Sequence, residues 1–124
     1  MLDTSVAIHL RDGDDGVVEQ ISALEDALAL SIITLVELEA GLVLDGQAEI
    51  RRARLAALLE TVEVRPFDQR DVTAYGRILA TTGFSRRKVL DRMIAAQALV
   101  DGAMLVTMNG EDFRDIPGLN LLEW

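Results

Sequence analysis

Residues 89–100 read VLDRMIAAQALV and predict a helix with a single acid, Asp91, near its start. On a helix, the face that holds Asp91 also holds four apolar residues at spacings of three, four, seven and eight: Ile94, Ala95, Ala98 and Leu99. An ionised carboxylate on a buried face is unfavourable unless it has a partner, and a divalent metal is one such partner. Alternatively, Asp91 opposes the helix dipole or caps the helix, as acids in first turns commonly do. The stretch therefore predicts a buried helix whose acid is either a cap or part of a site.

Short apolar runs and helical patterns alternate along the rest of the chain. Strands are predicted at 29–33, 62–67, 103–107 and 119–122, and a very short strand opens the chain and turns at residues 3–5. Helices are predicted after the loop 11–16, from 34 to 41, over 47–61, and between Asp68 and Gly83. Helices between nearly all strands imply parallel pairing. The predicted fold class is α/β, with residues 1–124 forming one domain of three layers, α/β/α, around a central, mostly parallel sheet.

Composition limits the class of protein further. The chain has 124 residues, a formal charge of −9 and no cysteine, so thiolate metal sites are excluded and a general nucleic-acid-binding surface is disfavoured. The longest uncharged run, 27–36, is well under the roughly 18 residues that a membrane span needs. We therefore expect a soluble, cytoplasmic protein without a membrane partner.

Basic residues are concentrated in two clusters that together hold seven of the 12 lysines and arginines. One contains Arg51, Arg52 and Arg54; the other contains Arg86, Arg87, Lys88 and Arg92. The second cluster lies at the start of the Asp91 helix, where positive charge opposes the dipole. It is either a solvated patch or a contact for RNA phosphates.

Four acids are predicted to meet at one edge of the sheet. Helix N-termini and the carboxyl ends of strands share an edge in a parallel α/β sheet, and ligands bind there. Asp3, Glu37, Asp91 and Asp112 all fall at such positions. Each also has a purely structural interpretation, because Asp3 fits an Asx-turn, Thr34-x-x-Glu37 fits a capping box, and Asp112 could cap a turn.

Four short motifs in this order resemble the PIN-domain ribonucleases, and specifically the VapC-type toxins of type II toxin–antitoxin pairs. They are Leu2-Asp3-Thr4-Ser5, Thr34-x-x-Glu37-Leu38, Asp91-x-x-Ile94-Ala95-Ala96 and Thr107-x-Asn109-x-x-Asp112-Phe113. The C-terminal residues from Pro117 to Trp124 resemble the closing strand of that family. Family members usually carry a few more residues before the first aspartate, so the native N-terminus could be longer.

The resemblance implies a PIN-like fold and a Mg²⁺- or Mn²⁺-dependent endoribonuclease. Its metal site and catalytic acids would be Asp3, Glu37, Asp91 and Asp112, with the roles of Asn109 and Asp112 left undivided. Supporting polar groups would be Thr4, Ser5, Thr107 and Asn109. The implied partners are a structured RNA, such as a tRNA or an rRNA loop, a VapB-like antitoxin and a second copy of the chain. Leu42, Val43 and Leu44 are candidate apolar contacts of that homodimer.

Three other interpretations remain open. Metal-free cleavage through the RNA 2′-hydroxyl normally needs two acid–base groups such as histidines, and the chain has only His9, which is expected to be structural. A phosphohydrolase with Asp3 as nucleophile would usually carry a second acid two residues later, where this chain has Ser5. A non-catalytic α/β binding module would use the acids only as caps.

Overall fold

The structure, a computed structural model, describes all 124 residues, and helices separate most of its strands. The helices are α1 (Thr4–Arg11), α2 (Asp15–Ser22), α3 (Ile32–Val43), α4 (Ala48–Leu59), α5 (Gln69–Thr82) and α6 (Val89–Asp101). The strands are β1 (Ala29–Ser31), β2 (Glu63–Arg65), β3 (Leu105–Thr107) and β4 (Leu121–Glu123), and two short 3-10 helices cover Arg86–Lys88 and Gly110–Asp112. None of these helices combines the length and apolar character that crossing a bilayer requires.

Leu2 holds the centre of the sheet. It forms parallel bridges to Leu30 of β1 and to Val106 of β3. Because β1 pairs in parallel with β2, and β3 with β4, the order across the sheet is β2, β1, Leu2, β3, β4. Parallel pairing is confirmed, and the predicted opening strand is reduced to one bridging residue.

Helix α1 is the element that the sequence did not predict. Val6 and Ile8 are β-branched, which lowers helix propensity, and eight residues are too few for a clear apolar period. The helix forms because the Asp3 carboxylate caps it by accepting a hydrogen bond of 3.1 Å from the backbone N–H of Val6. Burial of Val6 and Ala7 then fixes α1 against the sheet.

The apolar core has two parts, one on each face of the sheet. Leu105 and Val106 are neighbours in β3, so their side chains point to opposite faces. Val106 belongs to a cluster that includes residues of α1, α2, α3 and α4, whereas Leu105 packs with residues of α5 and α6. The three-layer α/β/α architecture is therefore confirmed.

Helix α6 is buried more completely than its sequence pattern indicates. Ile94, Ala95 and Ala98 are buried as predicted, but Ala96 and Gln97 on the remaining sides are fully buried as well. The Gln97 amide donates a hydrogen bond of 3.1 Å to the carbonyl of Pro66, which satisfies one of its buried polar atoms. The helix ends at Gly102 in the left-handed conformation (φ 60°), which glycine adopts without strain.

Candidate active site

The four predicted acids come from four different elements. Asp3 follows the central bridging residue and caps α1, and Glu37 lies in the second turn of α3. Asp91 is the third residue of α6, and Asp112 ends the 3-10 helix after β3. All four therefore lie at the carboxyl edge of the sheet, where the topology predicts them. This set of four acids is here called the acidic edge.

The Asp3 carboxylate is almost completely buried, with 3% of the residue exposed. Its Oδ1 accepts hydrogen bonds from the Ser5 hydroxyl at 2.5 Å and from the Val6 backbone, and its Oδ2 accepts one of 2.5 Å from Thr107. The Ser5 hydroxyl in turn accepts from the backbone N–H of Met108 at 3.2 Å. These bonds fix the orientation of a buried charge at the point where β3 and α1 meet.

Glu37 is oriented by a threonine of another helix. The Thr4 hydroxyl donates to Oε2 of Glu37 and also lies 3.2 Å from the hydroxyl of Thr34. The capping-box interpretation of Thr34 and Glu37 is wrong, because α3 begins earlier and its cap is Ser31, whose hydroxyl accepts from the N–H of Ile33 at 2.9 Å. Glu37 is thus free to face the acidic edge rather than the end of its own helix.

Asp91 differs from Asp3 and Glu37 because its carboxylate has no hydrogen bond within the protein. It does not cap α6, which has no side-chain cap. Burial is the largest of the effects that together raise the pKa of Asp91 to about 6; the negative charges of Asp112, Glu37 and Asp3 add to it in that order, while Lys88 opposes it. Asp3, Glu37 and Asp112, which are distant from Asp91 in sequence, therefore lie within electrostatic range of its carboxylate.

This donor set fits a divalent cation that keeps part of its water shell. The acids offer only oxygen ligands, and the unpartnered Asp91 would gain the opposite charge that it lacks. No group of three or more acidic or histidine side chains is arranged so that it could hold a metal ion in this structure. Mg²⁺ is usually bound through one or two protein carboxylates, with waters and substrate phosphate completing the octahedron, so a site here would rest on one or two of these acids.

The remaining polar residues near β3 differ in what they contact. The Thr107 hydroxyl accepts a hydrogen bond of 2.9 Å from the backbone N–H of Asn109 while it donates to Asp3. The side chain of Asn109 is exposed and makes no hydrogen bond within the protein. Sequence reasoning missed Thr34, whose buried hydroxyl completes the link between Thr4 and α3; its place in the Thr34-x-x-Glu37 motif was the available signal.

The predicted basic cluster divides into two parts. Arg86 and Arg87 are exposed and Lys88 is half-buried, and none of the three makes an ion pair or side-chain hydrogen bond. Arg92, in contrast, is only 3% exposed and donates to the carbonyl of Gly83 at 2.5 Å and to Asp115 at 3.2 Å. The expectation that Arg92 contacts RNA is therefore corrected, because its guanidinium is used inside the protein.

His9 lies outside this acidic edge. Its imidazole is about half exposed and lies 3.5 Å from the carboxylate of Asp14. Asp14 caps α2, so the pair links the first two helices. The position is consistent with the structural role expected for a single histidine.

The whole chain is similar to known proteins. The PIN domain family model matches residues 1–119. The chain is 28% identical to ribonuclease VapC2 of Rickettsia felis, covering 100% of this chain and 96% of the relative, and 28% identical, with the same coverage, to the tRNA(fMet)-specific endonuclease VapC of Shigella flexneri. The crystal structure of VapBC2 from R. felis bound to a promoter DNA fragment superposes with a TM-score of 0.88 at 27% identity, over 100% of this chain and 97% of that chain. With the fold, the acidic edge and these similarities in agreement, the chain belongs to the PIN-domain family.

Proposed function

We propose that this protein is a Mg²⁺- or Mn²⁺-dependent endoribonuclease and the toxin of a VapBC-type toxin–antitoxin pair. The observation that carries the proposal is the Asp91 carboxylate, which is half-buried, has no hydrogen bond and lies within electrostatic range of three further acids. A structural carboxylate would be paired or capping. A carboxylate held in this way, close to others of the same charge, is expected where a cation binds.

Each acid has its own role in the proposed site. Asp3 and Asp91 would bind the ion directly, and Glu37 and Asp112 would hold its waters or a second ion. When bound, the ion supplies Lewis acidity to the phosphodiester and makes water a nucleophile at neutral pH. Hydrolysis would break the bond between phosphorus and the 3′ oxygen, leaving a 3′ hydroxyl and a 5′ phosphate.

The hydroxyls of Thr4, Ser5 and Thr107 position these acids. Ser5 and Thr107 hold both oxygens of Asp3, and Thr4 holds one oxygen of Glu37, so these carboxylates cannot rotate away from the edge. Asn109 has a free side-chain amide beside the same strand end and is available to substrate. Preorganisation of this kind lowers the reorganisation that the reaction would otherwise require.

The proposed substrate is an unpaired loop of a structured RNA, of the tRNA or rRNA class. Arg86, Arg87 and Lys88 would contact phosphates on either side of the scissile bond. A small positive patch on a chain of net charge −9 favours recognition of shape over loose binding to any nucleic acid. The tRNA(fMet) specificity of the S. flexneri relative makes tRNA the first substrate to test.

The proposed protein partners are a VapB-like antitoxin, which would cover the acidic edge with a basic side chain, and a second copy of the chain. Val43 and Leu44 are 81% and 92% exposed and are candidates for such apolar contacts. Leu42, which the sequence grouped with them, is buried in the core and is removed from that set.

Cleavage of purified tRNA with Mg²⁺, with EDTA, and by the Asp91→Asn variant tests the proposed function. We expect Mg²⁺-dependent products bearing 5′ phosphates, and we expect Asp91→Asn to reduce the rate by at least about 100-fold, the upper end for residues that merely support a ligand. Asp15→Asn is the matched control, since Asp15 is an exposed acid in the first turn of α2. Unchanged cleavage in EDTA would exclude the metal, and equal activity of both variants would exclude Asp91.

A further inference from the structure

The segment Gly83–Lys88, here called the basic loop, joins α5 to α6 and carries an unusual combination of side chains. Phe84 is 71% exposed, although it is one of only three phenylalanines in the chain. Two residues later, Arg86 and Arg87 project into solvent without partners. An aromatic face and unpaired cations therefore lie on the same short segment.

The free cations of the molecule are concentrated on this loop. Among the 12 lysines and arginines, only Arg77, Arg86, Arg87 and Lys88 lack an ion pair or a side-chain hydrogen bond. Of the other eight, seven are paired with carboxylates, and Arg54 donates to the backbone carbonyl of Asp12. The basic loop is thus the one continuous stretch where a polyanion would meet uncompensated positive charge.

Arg92 fixes the basic loop relative to the acidic edge. Its guanidinium donates to the carbonyl of Gly83 at 2.5 Å and is paired with Asp115 at 3.2 Å. Gly83 itself has a φ of 77°, which lets the chain leave α5 abruptly and turn toward α6. Because Arg92 directly follows Asp91, the loop that presents Phe84 is held to the same first turn that presents the acid.

We propose that Phe84 is a stacking platform for one unpaired base of the RNA substrate, while Arg86 and Arg87 contact the flanking phosphates. A single exposed phenylalanine would need no explanation, since scattered apolar residues are normal on surfaces. An exposed phenyl ring within three residues of two free guanidinium groups supplies both the stacking surface and the phosphate contacts by which proteins hold single-stranded nucleic acid. The proposal rests on the proposed function and adds the residue that selects an unpaired nucleotide.

Binding of a fluorescein-labelled RNA hairpin with an unpaired loop, measured by anisotropy in the Asp91→Asn background, tests this role without depending on cleavage. We expect Phe84→Ala to raise Kd about tenfold, the loss of roughly one stacked base, and Phe84→Trp to retain binding. Val72→Ala is the matched control, because Val72 is another exposed apolar side chain (56%) and lies outside the basic loop and every proposed contact. With the same hairpin carrying abasic loop positions, the difference between the Phe84→Ala variant and its parent should disappear.

Two results would overturn the stacking role. One is a Phe84→Ala protein that binds the hairpin as its parent does, in which case the exposed ring serves a protein contact. The other is an equal loss of affinity for the intact and abasic hairpins, which would mean that the ring acts through loop conformation. Absence of metal-dependent cleavage of both tRNA and rRNA by the unaltered protein would refute the proposed function, whatever the anisotropy comparison gives.

Discussion

The hydroxyl of Thr107 donates a hydrogen bond of 2.5 Å to Oδ2 of Asp3, joining the end of β3 to the residue that follows the central bridging residue. Both residues are buried, so the bond is made where water cannot replace it. Replacing Thr107 by Val keeps the shape but removes the donor. We expect the free energy of unfolding in urea to fall by about 1–3 kcal/mol, the effect of leaving a buried charged acceptor unsatisfied.

Thr73→Val is the control for that change. Thr73 lies on the exposed face of α5, where its hydroxyl bonds only to the carbonyl of Gln69 one turn earlier. Its replacement should alter stability by less than about 0.5 kcal/mol. Equal effects of the two substitutions would show that the bond between Thr107 and Asp3 contributes no more to the free energy of unfolding than the exposed bond of Thr73 does.

The raised pKa of Asp91 makes the stability of the metal-free protein depend on pH. The folded state binds a proton at Asp91 up to about pH 6, whereas the ordinary aspartate pKa is 3.8. The unfolded chain therefore binds fewer protons in that interval, and stability falls as pH rises from about 4 to about 6. In EDTA, the Asp91→Asn variant should lose this part of the pH-dependent fall in stability. It should therefore be more stable than the unaltered protein at pH 7. A difference between the two proteins that stays constant across the interval would contradict the assignment.

Divalent cations should stabilise the protein even without RNA. Binding to the folded state alone, at a concentration of about 100 times Kd, raises the free energy of unfolding by about 2.7 kcal/mol. We expect Mg²⁺ or Mn²⁺ to raise Tm for the unaltered protein and for Asp15→Asn, and to have little effect on Asp91→Asn. A rise of the same size in all three proteins would indicate binding elsewhere.

Arg92 and Arg86 should differ in how much they contribute to the free energy of unfolding. Arg92→Met keeps the apolar stem but frees the carbonyl of Gly83, so we expect unfolding to become easier by about 1–3 kcal/mol. Arg86→Gln alters only an exposed, unpaired side chain and should change stability by less than about 0.5 kcal/mol. Chemical denaturation of both variants measures the difference, and the reverse order would contradict the structural role of Arg92.

The salt dependence of RNA binding separates phosphate contacts from stacking. Arg86→Gln and Arg87→Gln should each reduce the slope of log K against log salt concentration by about 0.7, the value for one phosphate of a single strand. Phe84→Ala should weaken binding without changing that slope. Arg52→Gln serves as the control, since Arg52 is paired with Glu39; an equal change of slope there would indicate a general charge effect.

Local signals in the sequence were sufficient for most of the fold. Gly102 and Asp68 mark helix ends through backbone conformation and capping, which depend only on neighbouring residues. Helix α1 was missed because its stability comes from the Asp3 cap and from burial against the sheet. The cap is a local interaction, but burial against the sheet is a tertiary effect, and it leaves no clear apolar period in eight residues.

The candidate site shows the same division. The placement of Asp3 and Asp91 at one edge follows from parallel topology, which alternating strands and helices reveal. The inward direction of Arg92 does not, because it depends on Gly83 and Asp115, which lie on other segments. Likewise, the start of α3 at Ile32, with Ser31 as its cap, could be recognised only once β1 was seen to end at Ser31.

The single bridging residue at the middle of the sheet makes residues 1–3 the connection between its two halves. Leu2 and its neighbours join β1 to β3 through backbone bonds from Leu2 to Ala29 and from Asp3 to Val106, each 3.0 Å long. Proteolysis that removed the residues through Asp3 would separate the two halves of the sheet. The same event would remove the Asp3 carboxylate. Loss of architecture and loss of the proposed chemistry would then coincide, so damaged molecules would not persist as folded but altered nucleases.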